Sequence, residues 1–84
     1  MTREEFVKVC TQNSYKFEAE YDGYVTYFSE DGRASLSLDD CNWVIVHVDD
    51  TWYSSLGWFR SQDWEGVNTF LKLCDYQPLT NFEF

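Results

Sequence analysis

Residues 15–48 read YKFEAEYDGYVTYFSEDGRASLSLDDCNWVIVHV, and this stretch decides the fold. Apolar and polar residues alternate along most of it, which is typical of β-strands that bury one face. Asp-Gly pairs at 22–23 and 31–32 favour turns, because glycine adopts a positive φ angle at little cost. The stretch therefore predicts four antiparallel strands. They cover residues 15–21, 24–29, 33–38 and 43–48.

The last of these strands and the residues after it complete the sheet. Residues 43–48 are almost entirely apolar, which favours an interior position in the sheet. Residues 51–59 form a fifth β-rich run, in which Gly57 indicates a bulge or a weak point. Short turns between these runs predict a meander, in which each strand pairs with the next.

A helix is predicted before the strands and another after them. Residues 3–12 place apolar residues at helical spacing after a capping box formed by Thr2 and Glu5. A second helix is predicted to follow a Ser61 cap and to end before Pro78. Its apolar stripe comprises Trp64, Val67, Phe70, Leu71 and Cys74. The chain is therefore predicted to be an α+β domain, with an antiparallel four- to five-stranded meander sheet and both helices on one face.

Aromatic residues supply the volume that a short chain otherwise lacks. Residues 1–84 can form only one domain, and a domain of this size buries only about 60% of the surface that its unfolded chain exposes. The chain has 7 Phe, 6 Tyr and 4 Trp residues, and each buried aromatic removes roughly 150–250 Å² from water. Trp43, Trp64 and Phe70 have the spacing of core residues.

A second set of aromatics is predicted to be partly exposed. Adjacent residues of a strand point to opposite faces, so the pair at 52–53 and the pair at 58–59 each send one ring away from the helices. These pairs are Trp52 with Tyr53 and Trp58 with Phe59, and Tyr24 or Tyr27 could join the same patch. Exposed aromatics ringed by acids suit a partner that bears Arg and Lys.

The net charge of −9 arises from 15 Asp and Glu residues against six Lys and Arg residues. Direct binding to DNA, RNA or an anionic membrane requires a basic footprint, whereas the basic residues here are scattered singly. No run approaches the roughly 20 apolar residues that span a membrane. The charge therefore predicts a protein partner with a basic surface, approached under electrostatic attraction.

The acidic residues concentrate on one predicted strand and in the turns. Glu18, Glu20 and Asp22 alternate along the first strand, where neighbours on one face lie roughly 6.8 Å apart. Successive phosphates along one DNA strand have a similar separation, on the order of 6–7 Å, so this row of carboxylates could imitate them. The other turn acids are Glu30, Asp31, Asp39, Asp40, Asp49 and Asp50.

The turns of a meander alternate between the two ends of its sheet. The turns at 22–23 and 39–42 are therefore predicted at one end, and those at 30–32 and 49–50 at the other. An alternative is that the acids only keep a small protein soluble. Nine net charges on a chain this short also destabilise it by self-repulsion, which favours a role in binding.

Catalysis and metal binding are not predicted. His47, the single histidine, lies in the most apolar strand and is interpreted as a half-buried residue bonded to a neighbour. Cys10, Cys41 and Cys74 are odd in number and widely spaced, unlike a disulfide framework or a zinc site. They predict free thiols in a reducing cytoplasm. We therefore expect no cofactor and no enzymatic activity.

Two functions are compatible with these patterns. The first is an inhibitor that occupies a basic, nucleic-acid-binding site on a partner such as a nuclease, as phage anti-defence and toxin-immunity proteins do. The second is a structural or assembly module whose aromatic patch joins two copies or a larger complex. The predicted contact residues are Glu18, Glu20, Asp22, Glu30, Asp31, Asp39, Asp40, Asp49, Asp50, Trp52, Tyr53 and Trp58. Salt separates the two functions, because it weakens an electrostatic contact more than an aromatic one.

Overall fold

The computed structural model describes residues 3–82. Its elements are α1 (Arg3–Gln12), β1 (Lys16–Tyr21), β2 (Tyr24–Phe28), β3 (Ala34–Leu38), β4 (Trp43–Asp49), β5 (Ser54–Arg60) and α2 (Trp64–Leu73). Within these residues the strands form one antiparallel sheet in the order β1-β2-β3-β4-β5. The predicted α+β meander between two helices is therefore confirmed, while Thr2 of the predicted capping box lies outside the described residues.

Both helices cover the same face of the sheet. Phe6 of α1 and Trp64 and Leu71 of α2 lie in one buried cluster with alternate residues of β2, β3 and β4. The strand members of this core are Val25, Tyr27, Ala34, Leu36, Leu38, Val44, Val46 and Val48. Burial stabilises the fold by roughly 1.5–3 kcal/mol for each large aliphatic side chain. Within residues 3–82 neither helix packs on the opposite side of the sheet, which is called the open face below.

Strand β1 differs from the predicted half-buried strand, because all of its residues are exposed. A β-bulge between Phe17 and Ala19 adds Glu18, which has no Cα partner in the ladder with β2. Beyond the bulge, Glu20 pairs with the buried residue Val25 and therefore lies on the helix side. The one-residue shift exchanges the two faces of the strand, so the predicted apolar face of β1 is wrong.

Gly57 has a packing role instead of the predicted bulge. The ladder between β4 and β5 runs without a register shift, and Gly57 lies opposite Val46 on the helix side. A Cβ atom at position 57 would lie 2.8 Å from the ring of Phe59 and 3.0 Å from the ring of Phe70. These two rings contact each other edge to face, with centroids 5.7 Å apart. The missing side chain therefore lets α2 approach the edge strand.

Helix α2 begins two residues later than predicted. Its N-cap is Asp63 rather than Ser61, and the Asp63 Oδ1 atom accepts the backbone N–H of Gly66 at 3.0 Å. A carboxylate at this position satisfies an otherwise unpaired amide and complements the positive end of the helix dipole.

Two asparagines hold the C-terminal segment, residues 76–82, against the helices. The side-chain amide of Asn68 donates to the Leu79 carbonyl at 2.9 Å and accepts the Leu79 N–H at 2.8 Å. Asn13 Oδ1 accepts the backbone N–H of Thr80 at 2.7 Å. Phe82 then packs on Trp64, with ring centroids 6.0 Å apart. The segment is therefore part of the folded domain up to residue 82.

Replacing Asn68 with alanine is expected to destabilise the protein by about 1–3 kcal/mol, because two part-buried hydrogen bonds are lost. Urea unfolding measures the loss, and amide hydrogen exchange at Leu79 measures the release of the segment. Thr69→Ala is the matched control, since it shortens an exposed side chain of the same helix. Unchanged exchange at Leu79 in Asn68→Ala would contradict the assignment.

Candidate interaction surfaces

The open face consists of the strand residues that alternate with the buried core residues. Pairing register and burial place on it Tyr24, Thr26, Phe28, Ser35, Ser37, Trp43, Ile45, His47, Leu56, Trp58 and Arg60. Leu56 is 57% exposed and Trp58 is 53% exposed, although both are large apolar residues. Large apolar side chains at this exposure on one face of a sheet indicate a contact surface.

Small side chains along β3 divide this surface. Ser35 and Ser37 occupy the open face of the central strand, and Ser37 is hydrogen-bonded to Thr26 at 2.9 Å. Larger side chains stand on both sides, with Phe28 on β2 and Trp58 on β5. The open face therefore has small side chains along β3 and larger ones on β2 and β5.

The open face is almost free of carboxylates. Among described strand residues whose pairing assigns them to a face, Asp49 is the one acid on this side, and its Oδ1 atom lies 3.3 Å from His47 Nε2. Lys16 and Arg60 lie near its corners, and the Arg60 guanidinium is stacked 5.2 Å from the centroid of the Trp43 ring. This surface is therefore apolar and nearly neutral in a protein whose net charge is −9.

Acidic turns border the open face at both ends of the strands. A Cβ atom at Gly23 would lie 3.3 Å from Asp40 Cβ, which shows that the 22–23 and 39–42 turns meet as predicted. At the other end, Arg33 Nε beside the 30–32 turn donates to the Asp49 carbonyl at 3.1 Å. The first acidic end comprises Asp22, Asp39 and Asp40, and the second comprises Glu30, Asp31, Asp49 and Asp50. About 20 Å of strand separates them, given the length of β4.

The predicted row of carboxylates on β1 is not formed. Glu18 lies in the bulge, and Glu20 lies on the helix side, where its Oε1 atom contacts Arg3 Nη2 at 2.6 Å. Asp22 follows in the turn with a positive φ of 52°. The three acids therefore lack the regular spacing that imitation of a phosphate row requires, and the charge is carried mainly by the two acidic ends.

The exposed aromatics are distributed partly as predicted. Trp58 points to the open face while Phe59 packs on Phe70 on the helix side, so this pair does divide between the faces. Trp52 is 89% exposed and Tyr53 is 61% exposed, but both precede β5 in its connection to β4, at the second acidic end.

The sequence also predicts the environments of Trp43, Tyr24 and Tyr27. Trp43 lies half-buried on the open face, so its predicted place in the core is wrong. Of the two tyrosines left open by the sequence, Tyr24 is 39% exposed on the open face and Tyr27 is buried. The exposed patch therefore contains Tyr24 and the half-buried Trp43 in addition to Trp58, and Tyr21, which pairs with Tyr24, is 81% exposed on the same face.

Several acids of the two ends also stabilise their own turns. Asp39 Oδ1 accepts the backbone N–H groups of Cys41 at 2.9 Å and Trp43 at 2.8 Å. Asp50 accepts the N–H of Thr51 at 2.6 Å. Such side-chain bonds replace the ladder bonds that a turn lacks.

Asp31 has the most heavily bonded carboxylate of the second acidic end. Its Oδ1 atom accepts the Tyr76 hydroxyl at 2.7 Å, the Ser29 hydroxyl at 2.8 Å and the Arg33 N–H at 3.0 Å. The hydrogen bond from Tyr76, followed by the one from the Arg33 backbone, lowers the pKa of the Asp31 carboxyl below its usual value. Since Tyr76 belongs to the C-terminal segment, this carboxylate ties that segment to the sheet.

The lowered pKa of Asp31 predicts a pH dependence of stability. A carboxyl whose pKa is lower in the folded than in the unfolded state stabilises the fold above the unfolded pKa and ceases to do so as pH falls. We expect the free energy of unfolding to fall from about pH 5 to pH 3, and to fall less steeply in Asp31→Asn. Asp22→Asn, which removes the same charge from the other end, should keep the wild-type slope. Equal slopes in wild type and Asp31→Asn would contradict this role.

The residues considered for catalysis lie apart. His47 lies on the open face near the second acidic end, whereas Cys41 is exposed in the turn at the first. His47 lies four positions after Trp43 along β4, which corresponds to about 13 Å. Asp40 raises the pKa of the Cys41 thiol, which disfavours the nucleophilic thiolate. Residues 3–82 contain no group of three His, Cys, Asp or Glu side chains that could hold a metal ion.

Among the described residues, neither helix is long and apolar enough to cross a membrane. Comparison of the chain with protein-family models, characterised proteins and solved structures gives no significant match. The feature of this protein that bears most on its function is therefore the sheet, whose nearly neutral open face lies between two ends that carry carboxylates.

Proposed function

We propose that this protein binds a basic, nucleic-acid-binding site on another protein and blocks it without catalysing a reaction. The observation that carries the proposal is the open face, whose exposed apolar residues lie between two acidic ends. In many protein interfaces, buried apolar residues contribute most of the affinity, and charged residues around them orient the two partners.

The two kinds of residue have different roles in this proposal. Trp58 and Leu56 are exposed on the edge strand β5, and they would be buried against apolar groups of the partner. The acidic ends would face Lys and Arg on either side of that contact, and their attraction would speed association. Because the regular row on β1 is absent, the carboxylates imitate two separate groups of phosphates rather than one continuous strand.

A basic partner also suggests a class for this protein. Compact acidic proteins that cover nucleic-acid-binding sites include phage anti-defence proteins and toxin-immunity proteins, and we propose that this chain acts in the same manner. The free cysteines Cys10, Cys41 and Cys74 favour action in the reducing cytoplasm. The partner would be a nuclease or another protein that binds DNA or RNA.

Affinity capture with competition tests the proposal. The immobilised protein should retain a basic protein at low salt, and added duplex DNA or RNA should release it because both compete for one site. Retention should fall steeply with salt. Asp22→Asn combined with Asp40→Asn should weaken retention, whereas Glu65→Gln on α2 is the control for loss of an exposed charge on the helix side. A partner that nucleic acid does not displace would contradict the proposed site.

Self-association through the open face is the second candidate, and the near-neutrality of that face favours it. Two copies could meet there without opposing carboxylates, except at Asp49. Sedimentation equilibrium distinguishes the two functions by the sign of the salt effect. Salt screens the repulsion between two chains of charge −9 and should strengthen a homodimer, whereas it should weaken binding to a basic partner.

A further inference from the structure

A polar cleft of about 370 Å³ lies between the end of α1, the β2–β3 turn and the C-terminal segment. Its size is at the lower limit of small-molecule sites, which are roughly 300–1,000 Å³. Amide and hydroxyl side chains contribute to its walls, and the carboxylates are those of Glu30 and Asp31. The residues that line it, all within 3–82, include no Lys, Arg or His. The cleft therefore offers hydrogen-bond acceptors in a negative environment.

Tyr15 forms part of the cleft wall and is only 5% exposed. Its hydroxyl is buried and has no hydrogen-bond partner within residues 3–82. Burial raises the pKa of this phenol, and Tyr76 and Asp31, which also line the cleft, contribute in the same direction. A buried hydroxyl without a partner lowers stability, so its retention here requires an explanation.

We propose that the cleft binds a guanidinium group, with the Tyr15 hydroxyl and the Glu30 carboxylate among its acceptors. A guanidinium carries a positive charge and five N–H donors in one plane, and it has no acceptor. A phosphate or carboxylate ligand would be repelled by Glu30 and Asp31. A guanidinium can also stack on the aromatic wall of the cleft, since that of Arg33 lies 5.3 Å from the centroid of the Tyr76 ring.

The guanidinium could belong to an arginine side chain of a protein or to a free arginine-like molecule. The cleft lies among the helix end, the turn and the C-terminal segment rather than on the open face. Its carboxylates, Glu30 and Asp31, also belong to the second acidic end, so the two proposed sites share this turn. The test of the cleft requires only the purified protein, and its failure would leave the function proposed above in place.

Titrations followed by amide NMR shifts test the site with three blocked tripeptides, in which glycine flanks arginine, citrulline or lysine. The arginine peptide should shift signals of residues 12–15, 29–31 and 76–80. Citrulline has the same shape without the charge and should bind about tenfold more weakly, because bonds to a charged donor are stronger than neutral ones. Free L-arginine is the fourth probe. Tighter binding of the peptide than of the free amino acid indicates a protein ligand, and the reverse indicates a small molecule.

Two variants connect the binding to the proposed acceptors. Tyr15→Phe should weaken the arginine peptide about tenfold and should not lower the Tm, since it removes a hydroxyl that has no partner in the free protein. Glu30→Gln should also weaken it, whereas Glu65→Gln on α2 removes an equal charge and should not. Equal binding of citrulline and arginine, or full affinity in folded Tyr15→Phe, would overturn the proposal.

Discussion

Replacing Trp58 with threonine is expected to weaken binding to the captured basic partner by about 30-fold or more, because tryptophans that an interface buries contribute 2 kcal/mol or more. Trp58 lies opposite Ile45, on the open side of the edge strand β5, and is half exposed. A partner that covers this face would bury the indole ring. Threonine retains the preference for a β-strand, so the Tm should change little. Titration calorimetry at one fixed salt concentration measures the affinity.

Trp52→Thr is the matched control for this prediction. It removes the same side chain from a position that is 89% exposed in the connection between β4 and β5. Residues at the rim of an interface contribute less than central ones, so the loss should be several times smaller. A larger loss for Trp52→Thr than for Trp58→Thr would place the contact at the second acidic end, and the open face would no longer be the binding surface.

Rate measurements separate the roles of the apolar centre and the acidic ends. Trp58→Thr should act mainly on the dissociation rate, because the lost contact exists only in the formed complex. Combined Asp22→Asn and Asp40→Asn should act mainly on the association rate and should reduce its salt dependence. If both changes act only on dissociation, the carboxylates do not steer the partner and serve as ordinary contacts.

The sequence predicts the order of the elements but not the register of β1. Tyr15, Phe17, Ala19 and Tyr21 alternate without interruption, and this period of two contains no sign of a bulge. The bulge depends on the pairing of β1 with β2 and accompanies the contact of Glu20 with Arg3 on the helix side. Because it is a feature of two strands, the period of one strand could not reveal it.

The residues that form the open face could not be identified from the sequence pattern either. In β4 nearly every residue from Trp43 to Val48 is apolar, so alternation does not show which residues face the helices. The neighbouring strand β3 does alternate, and its pairing with β4 places Trp43 and Ile45 on the open face, away from the core. The pairing of β4 with β5 places Leu56 opposite His47 on the same face, and sequence reasoning missed it. The register of β4 against β3 would have been sufficient to find Ile45, whereas Leu56 also requires the register of β5 against β4.

The anchoring of the C-terminal segment has no local sequence signal. Asn13 and Asn68 bond to backbone groups of Thr80 and Leu79, which are 67 and 11 residues away. An asparagine near a helix end is usually interpreted as a turn or cap residue, since its local hydrogen bonds are the common ones. The cleft beside Tyr15 depends on this segment and was not predictable for the same reason.

Replacing Phe6 with alanine is expected to destabilise the protein by about 3–5 kcal/mol, the usual cost of truncating a buried aromatic residue. The Phe6 ring is fully buried, meets Tyr27 edge to face at 6.0 Å and stacks on Trp64 at 6.4 Å. It therefore joins α1, the sheet and α2. An 84-residue domain has a total stability of roughly 4–13 kcal/mol, so this single change removes a large part of it.

Phe17→Ala tests whether burial, rather than the aromatic contact, causes this loss. Phe17 meets the same Tyr27 ring edge to face at 5.8 Å, but it is 57% exposed on β1. An aromatic pair contributes about 0.5–1.5 kcal/mol beyond the area that it buries, so the change should cost roughly that much. Urea unfolding of both variants, followed by far-ultraviolet circular dichroism, gives the two free energies. Equal losses would mean that β1 packs as firmly as the core and that its exposed position is not that of the folded protein.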